Sequence, residues 1–255
     1  MFFGGKVSGL NQANQKIIEK ILKQLRISPA DVAYERKLKN VVLITAEYLP
    51  RDITQISLQC KNLAEGLVQR GINTHVVSFD PWKVGQTTNI GGAEIHYVGN
   101  SVKSYSPLTW AITLNMEIGR VVADIYHSEG NIDLIHTHEW QMFPAGITLQ
   151  SALRKPLISS YYTLQEQRTP GVNNGFTEAV KQIEWRASQA SSSIHVNEEW
   201  MKSALLQFYS PTESKVNVLK PETSSWAKDV VRDYSWVLKN WDAPVGVSGK
   251  EKRDD

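Results

Sequence analysis

Short apolar runs without alternation are the feature that most restricts what this chain can fold into. Val41-Val-Leu-Ile-Thr-Ala-Glu47 is apolar on successive residues and ends in a carboxylate. A strand wet on one face alternates apolar and polar residues. A continuous run this short is a strand buried on both faces, as in a parallel sheet covered by helices on each side. Residues 74–79, 133–138, 156–162, 193–196 and 215–219 are read as further strands. Residues 94–98 alternate, which predicts an edge strand. Helical spacing fills the intervals. Leu58, Leu63, Leu67 and Val68 form one helical set, closed by Arg70-Gly71. Ile112, Met116, Val121, Val122 and Ile125 mark a long helix over 107–126, and further helices are predicted at 143–153, 176–190 and 198–209. Residues 80–92 and 163–175 read as loops, with Gly91-Gly92 a hairpin turn. Strands alternating with helices predict an α/β fold: a Rossmann-like, doubly wound parallel sheet of about six or seven strands.

Around that sheet, Ile17, Ile18, Ile21, Leu22 and Leu25 predict an amphipathic helical extension within 1–39. Residues 40–221 carry the Rossmann-like domain. Trp226, Val230, Tyr234, Val237 and Trp241 step along one face of a helix within 222–242, and 243–255 is a charged tail. A formal charge of +2 argues for neither nucleic acid nor a membrane surface. No apolar run approaches the roughly 20 residues that span a bilayer, and the N-terminus lacks the apolar stretch of a signal peptide. A single cysteine, Cys60, excludes an internal disulfide and fits a reducing cytoplasm, where the chain is expected. Cys60 itself lies in a helical pattern and reads as a small buried residue.

One strand ends in chemistry. In Asp133-Leu-Ile-His-Thr-His-Glu-Trp-Gln141 the apolar run stops abruptly in side chains that bind and titrate. Ligands of open parallel sheets sit beyond the carboxyl ends of strands, so this is where a site is sought. His136 and His138 share a face of the strand. His138 is expected to face the site and His136 to be buried and hydrogen bonded. A zinc site needs about three protein ligands, and Glu139 points away from that face unless the loop turns, so no metal is expected there. Glu47 and Glu139, each just past a strand end, either face one cleft as an acid/base pair or serve as ordinary capping and solvated groups. Trp140, Tyr161 and Tyr162 offer flat faces for sugar rings, or belong to the core.

These residues resemble a known family. Ala46-Glu-Tyr-Leu-Pro-Arg51, then Leu63-Ala-Glu-Gly-Leu-Val-Gln-Arg-Gly71, then Val76-Val-Ser-Phe79 look like the start of glycogen and starch synthases, and more broadly of retaining glycosyltransferases of the GT-B fold. Asp133-Leu-Ile-His-Thr-His-Glu-Trp140 is similar to their Asp-x-Ile-His-x-His-Asp-Trp segment. Ile183-Glu-Trp-Arg-Ala187, Ile194-His-Val-Asn197 and Met201-Lys202 resemble the last third of their N-terminal domain. The likeness covers roughly residues 40–220 and lies in the order of the pieces.

The resemblance implies a role in carbohydrate metabolism, with an N-terminal domain holding the acceptor glucan and a C-terminal domain holding the nucleotide sugar. Only the first is legible here. The segment from Ser225 to Tyr234 looks like the helix that crosses back from the second domain, or is a plain amphipathic addition. The family's Gly-Gly pair after the first strand is replaced by Thr54-Gln55, and the histidine of its Thr-x-His by Gln165. The resemblance thus makes His138, Glu139, Glu47 and Gln165 the candidate catalytic positions. It makes Trp140, Thr54, Gln55, Arg168 and Tyr162 candidate substrate contacts, with no cofactor. It implies an acceptor-glucan-binding domain inactive alone, partnered by a glucan or oligosaccharide and by a separate nucleotide-sugar-binding subunit or a second copy. The alternative is a non-catalytic regulator or scaffold that binds glucan or protein.

Overall fold

Val41, Val42, Leu43 and Ile44 are fully buried, as a strand with helices on both faces must be. The computed structural model describes residues 38–223 and 225–241. The helix expected around residues 17–25 and the charged tail lie outside the described residues. The strands are β1 (Asn40–Thr45), β2 (Asn73–Phe79), β3 (Thr87–Ile90), β4 (Ala93–Val98), β5 (Leu134–His138), β6 (Leu157–Tyr161), β7 (Ser193–Val196) and β8 (Val216–Val218). The helices are α1 (Gln55–Val68), α2 (Pro107–Glu129), α3 (Phe143–Leu153), α4 (Gln165–Arg168), α5 (Gly175–Ala190), α6 (Glu199–Tyr209) and α7 (Trp226–Asn240). No described helix is long and apolar enough to cross a membrane.

The eight strands form one sheet in the order β3-β4-β2-β1-β5-β6-β7-β8. Every pairing is parallel except that of β3 with β4. The chain winds outward from β1 through β2 to β4, crosses back along α2, and winds the other way from β5 to β8. The winding therefore reverses between β1 and β5, where Thr45 lies opposite His138. That reversal opens the crevice in which such sheets bind ligands.

Three expectations are corrected. β4 is not an edge strand, because residues 87–90, read as loop, form β3 beside it. Thr87-Thr-Asn-Ile carries no apolar signal. Its pairing is imposed by the hairpin turn at Gly91 and Gly92, whose φ values of 61° and 90° suit glycine. Residues 163–175 contain the short helix α4. The helical faces are also rotated from those expected. Leu63, Leu67, Val122 and Ile125 are buried as expected, but Leu58, Ile112 and Met116 are exposed, and Cys60 and Ala64 in α1 and Leu114 and Ile118 in α2 are buried in their stead.

α1 and α7 cover one face of the sheet. Their shared cluster includes Leu63, Leu67, Val76, Ile95, Val230, Tyr234 and Val237. The other face is covered by α2 and α3 over β1, β2 and β5, and by α5 and α6 over β6 to β8. The two halves of the first face differ in chemistry. Under α1 the strands present aliphatic residues. Under α7 they present His136, Ser160, His195 and Asn217, and α7 brings the partners these need. Tyr234 Oη lies 2.5 Å from His136 Nδ1. Asp233 meets His195 Nε2 at 2.7 Å and accepts from Asn217 Nδ2 at 3.2 Å. His136 Nε2 lies 2.8 Å from Ser160 Oγ.

α7 reaches this position by passing close to α1 at Gly66. A Cβ added there would lie 2.8 Å from Ala227 Cβ, inside van der Waals contact. Alanine in mid-helix gains about 1 kcal/mol over glycine in propensity, but overpacking costs about 1–3 kcal/mol. Gly66→Ala should therefore lower stability in the native background and raise it in an Ala227→Gly background. Urea unfolding of the four variants of that cycle measures the change of sign.

Candidate functional site

The crevice at the reversal is a cleft of about 140 Å³. Its walls are the residues that follow three strands: Thr45, Ala46 and Glu47 after β1; His138, Glu139, Trp140 and Gln141 after β5; Thr163 and Arg168 after β6. Ile56, in the first turn of α1, closes one side.

The end of β5 is held open for this purpose. Glu139 has φ 68°, a left-handed conformation uncommon for a residue with a side chain. It turns the chain so that the Glu139 carboxylate folds back over β6, where Oε1 accepts from the backbone N–H groups of Tyr162 at 2.7 Å and Thr163 at 2.8 Å. The following turn is pinned from below by Asn115 of α2, which donates to Gln141 O at 2.7 Å and accepts from Ala145 N at 2.6 Å. Trp140 packs edge-on to Phe176, with ring centroids 6.0 Å apart. It is only 7% exposed, so most of the ring belongs to the core and a rim borders the cleft.

Arg168 stands between two carboxylates. It pairs closely with Glu184, lies 3.6 Å from Glu139 Oε2, and donates to Thr163 Oγ1 at 2.7 Å. Glu184 is fully buried on the inner face of α5 and also accepts from Gln165 N at 2.9 Å and from the Tyr209 hydroxyl. Burial pushes the Glu139 pKa up to about 7, against the opposing pull of Arg168 and the two backbone donors. Burial raises Glu184 in the same way, again opposed by Arg168. A carboxyl group on the cleft wall that titrates near neutrality is a group able to exchange protons there.

The histidines form a column beneath the cleft. His136 and His138 rings lie 4.3 Å apart, and His195 meets His136 edge-on at 5.1 Å. His138 Nδ1 lies 2.8 Å from the Tyr162 hydroxyl, while its buried Nε2 has no partner among the described residues. Burial lowers the His138 pKa to about 3, and lowers His136 well below the ordinary histidine range.

The residues singled out in the sequence divide accordingly. His138, Glu139, Glu47, Trp140 and Arg168 meet in the cleft. Glu47 and Glu139 face it together, but Glu47 is engaged by Thr54, whose hydroxyl donates to it at 2.5 Å. Thr54 is also the N-cap of α1, accepting from Ser57 N at 3.1 Å. Gln55 is exposed on the first turn of α1 and does not line the cleft. Gln165 is displaced from the position expected of it. It is 2% exposed, with its amide taken up by Thr169 at 2.6 Å and by Arg168, because α4 turns it inward. Tyr162 acts behind His138, and Tyr161 is core, donating to Glu184 O at 2.7 Å. Sequence reasoning gave no role to Gln141, whose buried Oε1 also lacks a partner, or to Glu184. The signal for Glu184 was available: it shares a helical face with Val180 and Ala187.

Residues 56–221, well over half of the chain, match Glycosyltransferase Family 4. The chain belongs to this family. An uncharacterized glycosyltransferase of Methanocaldococcus jannaschii, MJ1607, is 25% identical over 213 residues, covering 83% of this chain and 53% of that protein. The chain thus spans about half the length of this relative. Among solved structures, sucrose-phosphate synthase from Thermosynechococcus elongatus superposes with TM-score 0.61 at 14% identity, covering 71% of this chain and 48% of that one. A form of the same enzyme designated by two separate residue ranges gives TM-score 0.56 at 11% identity, covering 78% of this chain and 98% of that one. At such identities the structures testify to the fold, the Rossmann-like domain of GT-B glycosyltransferases. The family 4 domain has its cleft at the point where such sheets bind ligands.

Titration separates the groups around the cleft. The unfolded chain protonates His138 below about 6.5, and the folded chain only near 3, so the stability that neutral His138 lends is full above 6.5 and declines as pH falls. Glu139 has the opposite sign. Its contribution is full below its ordinary 4.5 and is lost as pH rises through about 7. Each proton is worth about 1.4 kcal/mol per pH unit. His138→Gln should flatten the fall in stability below pH 6.5, and Glu139→Gln should gain on the native chain between pH 4.5 and 7, both read by urea unfolding across pH.

Arg168→Met leaves two buried carboxylates facing each other. Removing one partner of a buried pair costs about 3–5 kcal/mol. Arg168 is a quarter exposed, so a loss of about 2–3 kcal/mol is expected at pH 8, shrinking at pH 5 as the carboxyl groups take up protons. Thermal unfolding at the two pH values checks this.

Proposed function

We propose that residues 38–241 form the acceptor side of a family 4 glycosyltransferase. The cleft between β1 and β5 holds an oligosaccharide of the glucan class, whose hydroxyl receives a glycosyl group from a nucleotide sugar. One observation carries this reading. His138 Nε2 and Gln141 Oε1 lie just beneath the cleft wall, buried and without partners among the described residues. Such groups cost about 1–3 kcal/mol when left unpaired. A hydroxyl-rich ligand satisfies both, because a hydroxyl donates and accepts at one atom. The rim of Trp140 supplies apolar contact for a ring.

The nucleotide sugar is assigned to a domain outside residues 38–241. Only the residues from 219 to 225 separate β8 from α7, too few to fold as a domain. α7 nonetheless packs back on the sheet, as a crossover helix would. The near-complete coverage of the two-range form of sucrose-phosphate synthase agrees with a domain of this extent. The donor domain docks over the cleft from outside residues 38–241. Residues 38–241 are inactive without it.

Two observations favour the non-catalytic reading as the second one. Thr54 occupies Glu47 with a hydrogen bond where the family has glycine, and Gln165 is turned away from the cleft. A domain so altered retains saccharide binding while losing transfer.

Malto-oligosaccharide titrated into the labelled chain should shift the Trp140 indole and Gln141 amide resonances, with affinity at least about tenfold weaker in His138→Ala, the loss of one or two hydrogen bonds. No shift at millimolar saccharide would remove the acceptor assignment. In parallel, labelled ADP-glucose and UDP-glucose offered to the chain with the same acceptor should give no lengthened product. Label in lengthened glucan would show that the chain needs no partner.

A further inference from the structure

A second cluster lies at the opposite ends of the strands from the cleft. β2 and β4 are paired so that His75 is opposite Glu94 and Val77 opposite His96. His75, Glu94 and His96 therefore share the face covered by α2, near the start of both strands. His75 Nδ1 and His96 Nε2 are 3.1 Å apart. One oxygen of Glu94 lies 3.5 Å from the first and 3.8 Å from the second. All three ligand atoms are within 4.8 Å of one another, the one such group of histidine, cysteine and carboxylate side chains among the described residues.

Those separations have a meaning. A zinc ion bonds imidazole nitrogen and carboxylate oxygen at about 2.0–2.1 Å in a tetrahedron, which places ligand atoms about 3.3 Å from one another. The triangle of 3.1, 3.5 and 3.8 Å is close to one face of that tetrahedron. A hydrogen bond between the two imidazoles accounts for the shortest edge alone. It does not account for a carboxylate oxygen poised against both nitrogens.

The outer groups are also those a metal site uses. His96 Nδ1, the nitrogen facing away from the cluster, lies 3.2 Å from Thr87 Oγ1 of β3. His75 Nε2 lies 3.2 Å from Asn73 Nδ2 and 3.8 Å from Glu129 Oε1, at the end of α2. At 3.8 Å Glu129 is a charge partner of His75 rather than a hydrogen-bond acceptor, with Asn73 donating to its other oxygen at 2.9 Å; a carboxylate that closes this gap when a metal binds fixes the ring and its tautomer. His75 is buried, and the Glu94 side chain is 48% exposed, so the cluster has a solid floor and an open side for a water as fourth ligand.

We propose that His75, His96 and Glu94 bind one zinc ion, with Glu129 orienting His75. The ion ties the β3–β4 hairpin to β2 and to the end of α2, remote from the cleft, with three protein ligands and a water completing its shell. His136 and His138, the pair conspicuous in the sequence, take no part in it.

Zinc chloride titrated by calorimetry into the metal-stripped full chain at pH 7.5 tests this. The native chain should bind one zinc per chain at this site. Ligand loss should cost more than the roughly 10–100-fold that follows loss of an orienting group. His96→Gln and Glu94→Gln are therefore expected to weaken binding by more than 100-fold, and Glu129→Gln by about tenfold. Glu94 is half exposed, so Glu94→Gln should fold even if His96→Gln does not, and circular dichroism verifies both. Cobalt in place of zinc should give the ligand-field bands of a tetrahedral site, lost in Glu94→Gln. No stoichiometric binding by the native chain, or equal binding by folded Glu94→Gln, would overturn the proposal.

Discussion

The sheet can be covered on its first face only if α7 brings hydrogen-bond partners with it. Under α1 the strands offer aliphatic side chains, and any apolar helix face would serve. Under α7 they offer His136, Ser160, His195 and Asn217; Ser160 pairs with His136 and Asn217 with Ser193, but a purely apolar helix would leave His136 Nδ1 and His195 Nε2 unpaired at about 1–3 kcal/mol each. Tyr234 and Asp233 meet that demand while Val230, Val231 and Val237 join the aliphatic cluster of α1. The helix is consequently matched to the sheet in position and in rotation. Its approach past Gly66 fixes the first, and the hydrogen bond between Tyr234 and His136 fixes the second. His136 in turn supports His138, so a helix near the end of the described chain stands directly behind the cleft wall.

The cleft itself is an arrangement of charges that cannot relax. Arg168 is shared by Glu139 and Glu184, and both carboxylates are buried enough that their protonated forms are favoured beyond the usual range. The left-handed turn at Glu139 is tolerated because its carboxylate receives two backbone donors in return. The order of events in such a network runs from backbone to side chain. The turn after β5 positions Glu139, Glu139 fixes the loop after β6, and that loop delivers Thr163 and Arg168 to the cleft.

Much of this was legible before any coordinates. Runs such as 41–45 and 157–161, read as buried strands, are β1 and β6, and α3 falls on the residues its spacing predicts. The end of β5 announces itself through His136, His138 and Glu139. What the sequence left open depends on distant partners. β3 is a strand because Gly91 and Gly92 fold it onto β4, and its β-branched Thr87, Thr88 and Ile90 favour the extended form without any apolar alternation to announce it. Leu58, Ile112 and Met116 misled the helical phase because they are exposed apolar residues, which patterning treats as core. The family resemblance put Gln165 in the place of a site histidine, yet the single turn of α4 buries it. Thr54 was read as a substrate contact standing where the family has glycine, and it is a helix cap that also engages Glu47. Glu184 is a carboxylate among apolar positions, intelligible only once Arg168 and Tyr209 stand beside it.

The described sheet has two short rims. One is β3, four residues long and antiparallel to its neighbour; the other is β8, three residues long. An unpaired strand edge is a template on which another chain can add a strand, and its reach grows with its length. These rims offer only a few free backbone groups each. Association through backbone pairing therefore has little to grip, and recognition is left to side chains: those at the ends of the strands and those on the outward helices. The fold confines contact with other molecules to surfaces whose chemistry can be changed one residue at a time.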